Sequence, residues 1–475
     1  MQTPVVADRL VIDTYDHNDL AFHSHIGSLI LSVKQLLAEG RQPGGFYTWC
    51  SLYGSPAENK GAEADAMNEN PDIASKWKGM VLLHIQAEAN DKPKKGVETM
   101  DPEIQKNAEE LGFLGENGST DNDSTYELIA EVGQGIALPE PDVYYKVQFA
   151  VKNYNWTTEV QQEYNGRYAR WSSRSEVLSW KLPSNPHSCF NRSEGQLEGR
   201  YRQEFRLFIY LLDSSDIPVC FWSCDLSDFR NLNAKWRWIQ LKPDLSYGYV
   251  ENARDAGLIS VKLSVTKRVT DGATDKFAQQ PAWKTPVPKS LEPYNLRCFI
   301  FQCRDLPAAD SDGSSDPFIT IFNSVGEEQK TAVIEDNVNP IFMDCKEIGI
   351  NLADVKDFSD APPCIMDVMD ADHGYISSSA DFLGRCTIYM DQVKYFSNGE
   401  DDIPLPQWYD IKFGTDDDSP ACGQILCSFA LSKAFPNDLQ AKPAEMNKMV
   451  EKIDFDVFIN CLGLRELESI GLLPI

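Results

Sequence analysis

Three glycine-led segments decide the fold: GMVLLHIQ from Gly79, GLISVKLSV from Gly257 and GQILCSFAL from Gly423. Each is rich in aliphatic, aromatic or β-branched residues and alternates partly with period two, which predicts a β-strand. Shortly before each segment, an aromatic residue stands three positions ahead of an aliphatic one, in the pairs Trp49 and Leu52, Trp238 and Leu241, and Trp408 and Ile411. A pattern that recurs along one chain indicates a repeated structural unit. The sequence therefore predicts three similar β units.

A further strand precedes each of these endings and finishes at an acidic residue: RLVIDTYD at Asp16, FRLFIYLLD at Asp213 and CIMDVMD at Asp370. Short strands separated by polar loops at this spacing favour antiparallel β-sandwiches of about 130 residues. The predicted fold class is all-β, with tandem antiparallel sandwiches joined by acidic linkers.

The repeat also predicts the domain boundaries. Residues 1–92 contain only the second half of a unit, and the last segment, FDVFINCLGLREL from Phe455, is similar to the strand LRCFIFQCRDL from Leu296 that opens the third unit. We therefore expect the first and last units to be incomplete. After the first unit we expect an acidic linker with one helix (93–141) and a degenerate sandwich opened by DVYYKVQFAV (142–267). A linker (268–288) then leads to a third sandwich (289–435). A last linker (436–452) leads to the opening strand of a further unit (453–475).

Charge and composition exclude several classes of function. The 475 residues include 44 Lys and Arg and 72 Asp and Glu, a formal net charge of −28, which disfavours binding to nucleic acid. The twelve cysteines form no CxxC pair and no zinc-type cluster, so they are predicted to be reduced thiols of a cytoplasmic protein. The sequence has neither a phosphate-binding GxxxxGK[ST] loop nor an HExxH helix, and we expect a protein that is not an enzyme.

Two loops of the third unit are rich in aspartate. RDLPAADSDGSSDPF supplies Asp310 and Asp316, and MDADHGYISSSADFLG supplies Asp370, Asp372 and Asp381. If the loops lie side by side, five carboxylates meet at one tip and repel one another unless a cation binds. Ca²⁺ fits best, because it accepts six to eight oxygen ligands in flexible geometry. The alternative is that these aspartates only stabilise turns.

These loops resemble a known module. The string LPAADSDGSSDPF, the pair Asn339 and Pro340, and DAD followed by DFLG resemble the signature of the C2 domain, a Ca²⁺-dependent phospholipid-binding sandwich. By position, the resemblance implies that the five aspartates are the Ca²⁺ ligands. Tyr375 and Ile376, in the second loop, are then the candidates for insertion into an anionic phospholipid membrane.

The array also resembles ferlins, large proteins with several C2 domains that act in membrane fusion and repair. GLRELESIGLLPI, FIYLLDSSDIPVCFWSCDLSDF and IGSLILSV are similar to ferlin segments. The resemblance implies a protein peripheral on cytoplasmic membranes. A ferlin ends in a transmembrane anchor, and no stretch here has the roughly 18 uncharged apolar residues of a span.

The other two units lack the full acidic set. The first keeps Asp16 but has Asn18 and Ser24 where further carboxylates would fall, and the second has Asp213 and Asp216 in a short loop. We expect neither to bind Ca²⁺ and both to serve as spacers or contact surfaces. The competing hypothesis for the whole chain is a scaffold of sandwiches that binds protein partners without Ca²⁺.

Overall fold

The structure is a computed structural model. It describes residues 10–17, 24–31, 33, 36, 45–56, 61–69, 76–87, 102–110, 124–139, 143–159, 163–165, 167–182, 206–225, 236–244, 256–268, 291–310, 313–323, 328–352, 358, 361–371, 380–397, 399–413 and 420–450.

The first unit is one antiparallel sheet. Its strands are β1 (Leu10–Asp16), β2 (Ser24–Leu31), β3 (Phe46–Gly54) and β4 (Lys76–Ile85), hydrogen-bonded in the order β1-β2-β3-β4. Helix α1 (Ala62–Glu69) packs beside β2 and β3, and helix α2 (Pro102–Glu110) lies where the sequence predicts a helix in the segment 93–141. The helix prediction is confirmed.

The second unit is a sandwich of two sheets. One sheet has the order β13-β15-β5-β9-β8, with β10 also paired to β5, and the other has the order β14-β12-β11-β6-β7. The strands are β5 (Ser124–Ile136), β6 (Lys146–Val151), β7 (Tyr154–Thr157), β8 (Glu163–Asn165), β9 (Tyr168–Arg174), β10 (Leu178–Leu182), β11 (Arg206–Leu212), β12 (Pro218–Asp225), β13 (Trp236–Gln240), β14 (Lys242–Pro243) and β15 (Leu258–Arg268). Alternate residues of both sheets form one apolar core around Trp171, whose indole N–H donates to the Tyr145 carbonyl at 2.9 Å.

The third unit is also a sandwich, built from one sheet that folds over between β21 and β23. The strand order is β18-β17-β20-β21-β23-β24-β16-β19, with β22 paired to β24. The strands are β16 (Glu292–Arg304), β17 (Pro317–Phe322), β18 (Gln329–Lys330), β19 (Ile341–Leu352), β20 (Cys364–Asp370), β21 (Asp381–Ile388), β22 (Lys394–Tyr395), β23 (Gln407–Lys412) and β24 (Ala421–Ser432). Because β21 and β23 share a single paired position, Arg385 with Lys412, the two halves can close over a common core. The all-β sandwich prediction is confirmed.

The repeat found in the sequence has a structural basis. β3 and β4, β13 and β15, and β23 and β24 form the same antiparallel pair in the three units. The glycine before or within each closing strand has a positive φ, at +143° for Gly79, +81° for Gly257 and +155° for Gly423. Other residues adopt such φ values only under strain, which explains why glycine recurs there.

The structure differs from the linker prediction between residues 93 and 141. β5 lies inside that segment and pairs with both β15 and β9, so it is a central strand of the second sandwich. It takes the place that β16 has beside β24 in the third unit. The predicted opening strand corresponds to β6, which pairs with β11 as β17 pairs with β20.

The linker prediction is also wrong for part of 436–452. A short 3₁₀ helix (Leu439–Ala441) leads into helix α3 (Lys442–Met449), which packs on the outer face of β16, β19 and β24. Met446 of that helix is fully buried beside Phe299 and Phe301.

The cysteines of the described ranges are free thiols, and most are buried. Burial raises the pKa of the Cys345 thiol to about 12, and it also raises the pKa values of Cys303 and Cys386. Thiols with raised pKa values are poorly reactive, so these side chains act as core residues.

Neighbouring units contact one another through their outer sheet faces. Tyr53 of β3 packs with Phe208 of β11, and its hydroxyl accepts a hydrogen bond from the Arg206 N–H at 2.7 Å. On the other side of the second unit, Trp238 clusters with Ile365 of β20.

Candidate functional site

Strand register brings three of the predicted aspartates to one end of the third sandwich. Asp370 is the last residue of β20 and Asp381 the first of β21, and the two are direct partners across the antiparallel pair. Asp316 immediately precedes Pro317, which is the partner of Asp370 on the other side. Direct partners in antiparallel strands have Cα atoms about 4.5–5.5 Å apart. Three carboxylate-bearing positions therefore lie side by side at this tip.

Asp370 is the most enclosed of the three. Its side chain is 1% exposed, and its Oδ1 accepts a hydrogen bond from the backbone N–H of Asp316. The Ala371 N–H in turn donates to the Asp316 carbonyl at 3.0 Å. These bonds fix β17 against β20 at the point where both strands enter their loops.

Asp310 lies in a compact turn of the first loop. Its N–H donates to the Ser314 carbonyl and its carbonyl accepts from the Gly313 N–H, both at 3.1 Å. The buried Ser315 hydroxyl holds the base of the loop, because it donates to the Pro307 carbonyl and accepts from the Ala309 N–H at 2.9 Å each. Asp310 itself is exposed at the tip.

Asp336 belongs to the same end of the sandwich and was missed in the sequence. Its N–H donates to Asp316 Oδ1 at 2.7 Å, and its own Oδ1 accepts from the Ser314 hydroxyl at 3.3 Å. It adopts a φ of +53°, typical of aspartate and asparagine in tight turns. The segment EDNVNP resembles an ordinary turn, so only the three-dimensional contact reveals this acid.

The Asn339 and Pro340 pair connects this middle loop to β16. Asn339 Oδ1 accepts from the Asp305 N–H at 2.9 Å, and the Pro340 carbonyl accepts from the Cys303 N–H at 2.9 Å. The pair therefore holds the loop that carries Asp336 against the end of β16, from which the Asp310 loop departs.

The remaining predicted site residues, Asp372, Tyr375 and Ile376, lie outside the described residues. Within the described ranges, no three side chains of Asp, Glu, His or Cys are close enough together to hold one metal ion. The metal site as predicted from sequence, which requires Asp372, therefore stays a prediction.

Apolar side chains are exposed at the same tip. Phe413, which follows β23, is 61% exposed, and its ring lies 5.6 Å from that of Phe382, the neighbour of Asp381. Val333 is 41% exposed, and the next residue, Ile334, donates its N–H to the Pro317 carbonyl. The acidic end of the sandwich thus has an apolar rim.

The corresponding ends of the other units use their acids differently. In the first unit Asp16 is the direct partner of Ser24, at the positions that Asp370 and Asp381 occupy in the third. In the second unit Asp213 Oδ1 accepts from the Ser215 and Ile217 N–H groups at 2.8 and 2.9 Å, whereas Asp216 pairs with Lys146 at 2.6 Å. Asp213 therefore stabilises a turn, and Asp216 forms a surface ion pair.

A serine, a histidine and an aspartate meet in the first unit, but not as a catalytic triad. The Ser28 hydroxyl donates to Asp13 Oδ1, and His25 Nε2 lies 2.8 Å from the same hydroxyl oxygen. In a triad the serine donates to the histidine and is exposed to substrate. Ser28 is fully buried, so the contact is structural.

The second unit is rich in arginine, and its described residues Arg167 and Arg174 contact other residues of the same unit. Arg167 donates to the carbonyls of Ala137 and Leu138, and Arg174 lies 4.0 Å from Glu131. Burial raises the pKa of Glu131, while Lys262 at 3.5 Å and Arg174 oppose that rise. These arginines hold the sheet together.

Comparisons with known proteins agree with this architecture. Residues 294–411 match the family model of the C2 domain. Human myoferlin is 32% identical over 144 residues, which cover 29% of this chain and 6% of myoferlin. Ferlin 2 of Toxoplasma gondii is 25% identical over 176 residues, 37% of this chain and 12% of that relative. The aligned segments are thus a small part of these much longer relatives.

Solved C2 structures are also similar. A single C2 domain of plant extended synaptotagmin 1 covers 31% of this chain and 98% of its own, at 15% identity and a TM-score of 0.23. The calcium-bound tandem of two C2 domains from extended synaptotagmin 2 covers 64% of this chain and 95% of its own, at 13% identity and a TM-score of 0.23. Among the described residues, no helix has the length and apolar character of a membrane span. Residues 294–411 therefore match the C2 domain, and the chain is similar to ferlins over the segments that align with these relatives.

Proposed function

We propose that the third sandwich binds anionic phospholipid membranes in a Ca²⁺-dependent manner. The observation that carries the proposal is the register that sets Asp316, Asp370 and Asp381 side by side at one end of a C2 domain. The oxygen-only donor chemistry of this tip suits a hard divalent cation.

The residues that would hold Ca²⁺ come from both acidic loops: Asp310, Asp316, Asp370, Asp372 and Asp381. Bound Ca²⁺ supplies positive charge at a tip that otherwise repels anionic headgroups. The buried position of Asp370 and its bond to the Asp316 N–H fix one carboxylate in place before the cation arrives.

The exposed apolar side chains at the tip are the second contribution to membrane binding, beside the bound cation. Phe413 and Val333 are exposed at the acidic tip, and Tyr375 and Ile376 belong to the loop between β20 and β21. Once the charge is neutralised, such side chains can enter the boundary between headgroups and acyl chains. The protein then acts peripherally on cytoplasmic membranes, in vesicle fusion, trafficking or membrane repair.

A scaffold function is the second candidate, and the contacts between units favour it. Arg385 forms a bidentate ion pair with the fully buried Asp367, with Nε 2.7 Å from Oδ1 and Nη2 3.0 Å from Oδ2. Its Nη1 lies 3.5 Å from Oε1 of Gln240 in the second unit. Units joined through packed faces could present surfaces to protein partners without any Ca²⁺.

Co-sedimentation with vesicles separates the two candidates. We expect the full chain to sediment with vesicles of phosphatidylcholine and phosphatidylserine when Ca²⁺ is present, and to stay in solution when the cation is chelated. Changing Asp370→Asn and Asp372→Asn together should reduce sedimentation in Ca²⁺ to the chelated level, because two ligand charges are lost. The matched control changes Asp391→Asn and Asp402→Asn, exposed acids away from the tip. The scaffold would be favoured if the two double variants sedimented equally with vesicles in Ca²⁺. It would also be favoured if sedimentation of the unchanged chain did not depend on Ca²⁺.

Thermal unfolding tests the metal site without lipid. A ligand at about 100 times its dissociation constant stabilises the folded state by about 2.7 kcal/mol, which corresponds to roughly 5–10 °C for a domain of this size. We expect Ca²⁺ to raise the melting temperature of the third sandwich by that order, and the Asp370→Asn, Asp372→Asn chain to show no rise. A rise that survives in this variant would place the cation elsewhere.

A further inference from the structure

The two contacts between neighbouring units use the same strand of the repeat. In the second unit, Phe208 of β11 packs with Tyr53 of the first unit. In the third unit, Ile365 of β20 clusters with Trp238 of the second unit. Phe208 and Ile365 each stand five residues before the acidic residue that ends the repeated segment. The same position of a unit therefore receives the preceding unit in both cases.

Strand register agrees with the equivalence of Phe208 and Ile365. Phe208 is the partner of Ala150 on β6, and Ile365 is the partner of Phe322 on β17. Ala150 and Phe322 also lie at the respective contacts, where both are partly buried. Both strand pairs, β11 with β12 and β20 with β21, carry a register shift near the same end. We call the outer surface of these strands the acceptor face of its unit.

The surfaces that pack on the two acceptor faces are equivalent as well. The second unit contributes Trp238 of β13 and Leu258 of β15, which lie on the outer side of their sheet because the alternate residues of both strands enter the core. The first unit contributes Tyr53 of β3 and Met80 of β4. Leu258 and Met80 each directly follow the repeat glycine. We call this surface, the outer side of the closing strand pair beside the repeat glycine, the docking patch.

Both acceptor faces are buried although they point away from the core of their own sandwich. Phe208 and Leu212 of β11 and Ile365 of β20 are at most 3% exposed. The residues that alternate with them fill the two sandwich cores. An antiparallel sheet commonly has one face packed on the core and one face in water. Contact between the units removes this second face from water, and the buried apolar area stabilises the contact.

The two acceptor faces differ at the next outer position. In the second unit this position holds Tyr210, whose partner across the strands is Phe221, and both pack in the apolar cluster with the patch of the first unit. In the third unit it holds Asp367, whose partner is Arg385. Arg385 Nη1 also lies 3.5 Å from Oε1 of Gln240, beside the patch of the second unit. An apolar face thus receives the first patch, and a face with an ion pair receives the second.

The third unit has polar side chains in its own docking patch. Gln424 directly follows the repeat glycine, where the second unit has a leucine. The Arg304 guanidinium lies over the Trp408 ring at 4.1 Å, and its Nε donates to Gln424 Oε1 at 2.9 Å. Gln424 Nε2 donates to Asp410 at 2.7 Å, and Arg304 and Asp410 are exposed. Burying such charged groups against an apolar face would be costly.

From these observations we propose that one docking mode joins the three units in order. The docking patch of each of the first two units binds the acceptor face of the next, and the residues at the next outer position set which patch each face accepts. Because every contact joins two different surfaces, the mode can pass along an array. It ends at the third unit, whose polar patch acts as the cap of a repeat array does. Docking requires neither Ca²⁺ nor lipid and is independent of the proposed membrane function.

The Ile365→Thr change tests docking from the acceptor side in the full chain. Threonine keeps the β-branched shape that suits a strand but removes apolar contact with the patch. We expect hydrogen exchange at residues 238–241 and 257–259 of the second unit to become at least threefold faster, because local opening there no longer breaks the contact. Exchange at β16 and β24 should stay unchanged. The matched control is Ile341→Thr, a 58% exposed position of the same sandwich, which should leave the second unit unaffected.

The Trp238→Ala change tests the same contact from the patch side. We expect at least threefold faster exchange at residues 365–367 and 384–386 of the third unit, although the altered residue belongs to the second. Its matched control is Trp408→Ala, the equivalent position of the third unit, which should change exchange in neither other unit. If Ile365→Thr also speeds exchange at β16 and β24, the Trp238→Ala chain decides, since its change lies outside the third sandwich.

The Phe208→Thr change asks whether the first two units dock in the same way. We expect at least threefold faster exchange at residues 50–53 and 80–82 of the first unit. Effects confined to the altered unit would overturn the proposal, because the units would then lie side by side without binding. An effect across one contact but not the other would overturn the single docking mode. A response of the second unit to Trp408→Ala would show that the mode does not end at the third.

Discussion

Replacing Asp401 with alanine is expected to lower the free energy of unfolding of the third sandwich by about 3–5 kcal/mol, the range found when one partner of a buried ion pair is removed. Asp401 joins two buried cations. Its Oδ1 accepts from the Arg297 guanidinium at 2.6 Å, and its Oδ2 lies 2.9 Å from Lys442 Nζ. The side chains of Arg297, Asp401 and Lys442 are 4%, 5% and 1% exposed.

The loss is large because both cations stay buried after the change. Arg297 keeps Glu347 at 2.7 Å and the Asn437 carbonyl at 2.7 Å. Lys442 keeps Glu445 at 3.0 Å and the backbone carbonyl of residue 401 at 2.7 Å. Neither remaining carboxylate lies between the two positive groups, so their repulsion is no longer balanced. Changing Glu445→Ala, whose side chain is 44% exposed, is the matched control and should cost less than about 1 kcal/mol.

Hydrogen exchange at the amides of β16 and β24 measures the effect in the whole chain, because it reports the third sandwich separately from the other units. Burial alone would lower the pKa of Lys442, but hydrogen bonds to Asp401 and Glu445 raise it above the ordinary value. The stability that Lys442 contributes through its ion pairs with Asp401 and Glu445 is therefore complete below about pH 10.4, the ordinary pKa of lysine. It is lost as the pH rises through the raised pKa of Lys442. Equal losses for Asp401→Ala and Glu445→Ala would contradict this account.

The closing strands could be predicted from sequence because their signals are local. Trp238, Leu241 and Gly257 lie within twenty residues, and the pairing of β13 with β15 brings them together, so their pattern is visible in one short stretch of sequence. The same holds for Asp370 and Asp381, which flank one loop and become partners once β20 and β21 pair.

The opening strand of the second unit could not be predicted in this way. β5 contains Gly133 and Gly135, which weaken a strand signal, and a buried acid, Glu131. Glu131 is tolerated because Lys262 lies 3.5 Å away, on a strand more than a hundred residues later. Asp336 was missed for a similar reason, since its place beside Asp316 is set by a hydrogen bond between two loops.

Helix α3 was missed because its sequence, KPAEMNKM, has little apolar character of its own. Its position depends on two buried side chains. Met446 enters an apolar cluster with Phe299 and Phe301, and Lys442 reaches Asp401. Neither interaction is visible from residues 436–452 alone, which explains why the segment resembles a linker.

Removing this segment is expected to have the second large effect. A chain that ends after Phe435 should lose several kcal/mol of stability in the third sandwich, because Phe299, Phe301 and Ala430 lose the residues that cover them. Met446→Ala alone should cost about 2–5 kcal/mol, as for other buried methionines. Met449→Ala, 40% exposed on the same helix, is the matched control and should change stability by less than about 0.5 kcal/mol.

A chain that ends after Val450 separates the contribution of the helix from that of residues 451–475. We expect it to keep the stability of the full chain in the third sandwich, since α3 and its contacts with the sheet remain. Hydrogen exchange at the amides of β16 and β24, compared among the full chain and the two truncations, measures the contributions of α3 and of residues 451–475 in one experiment. Equal stability of the two truncations would mean that α3 is not part of the C2 unit. A loss already seen in the chain ending after Val450 would show that residues 451–475 contribute to it.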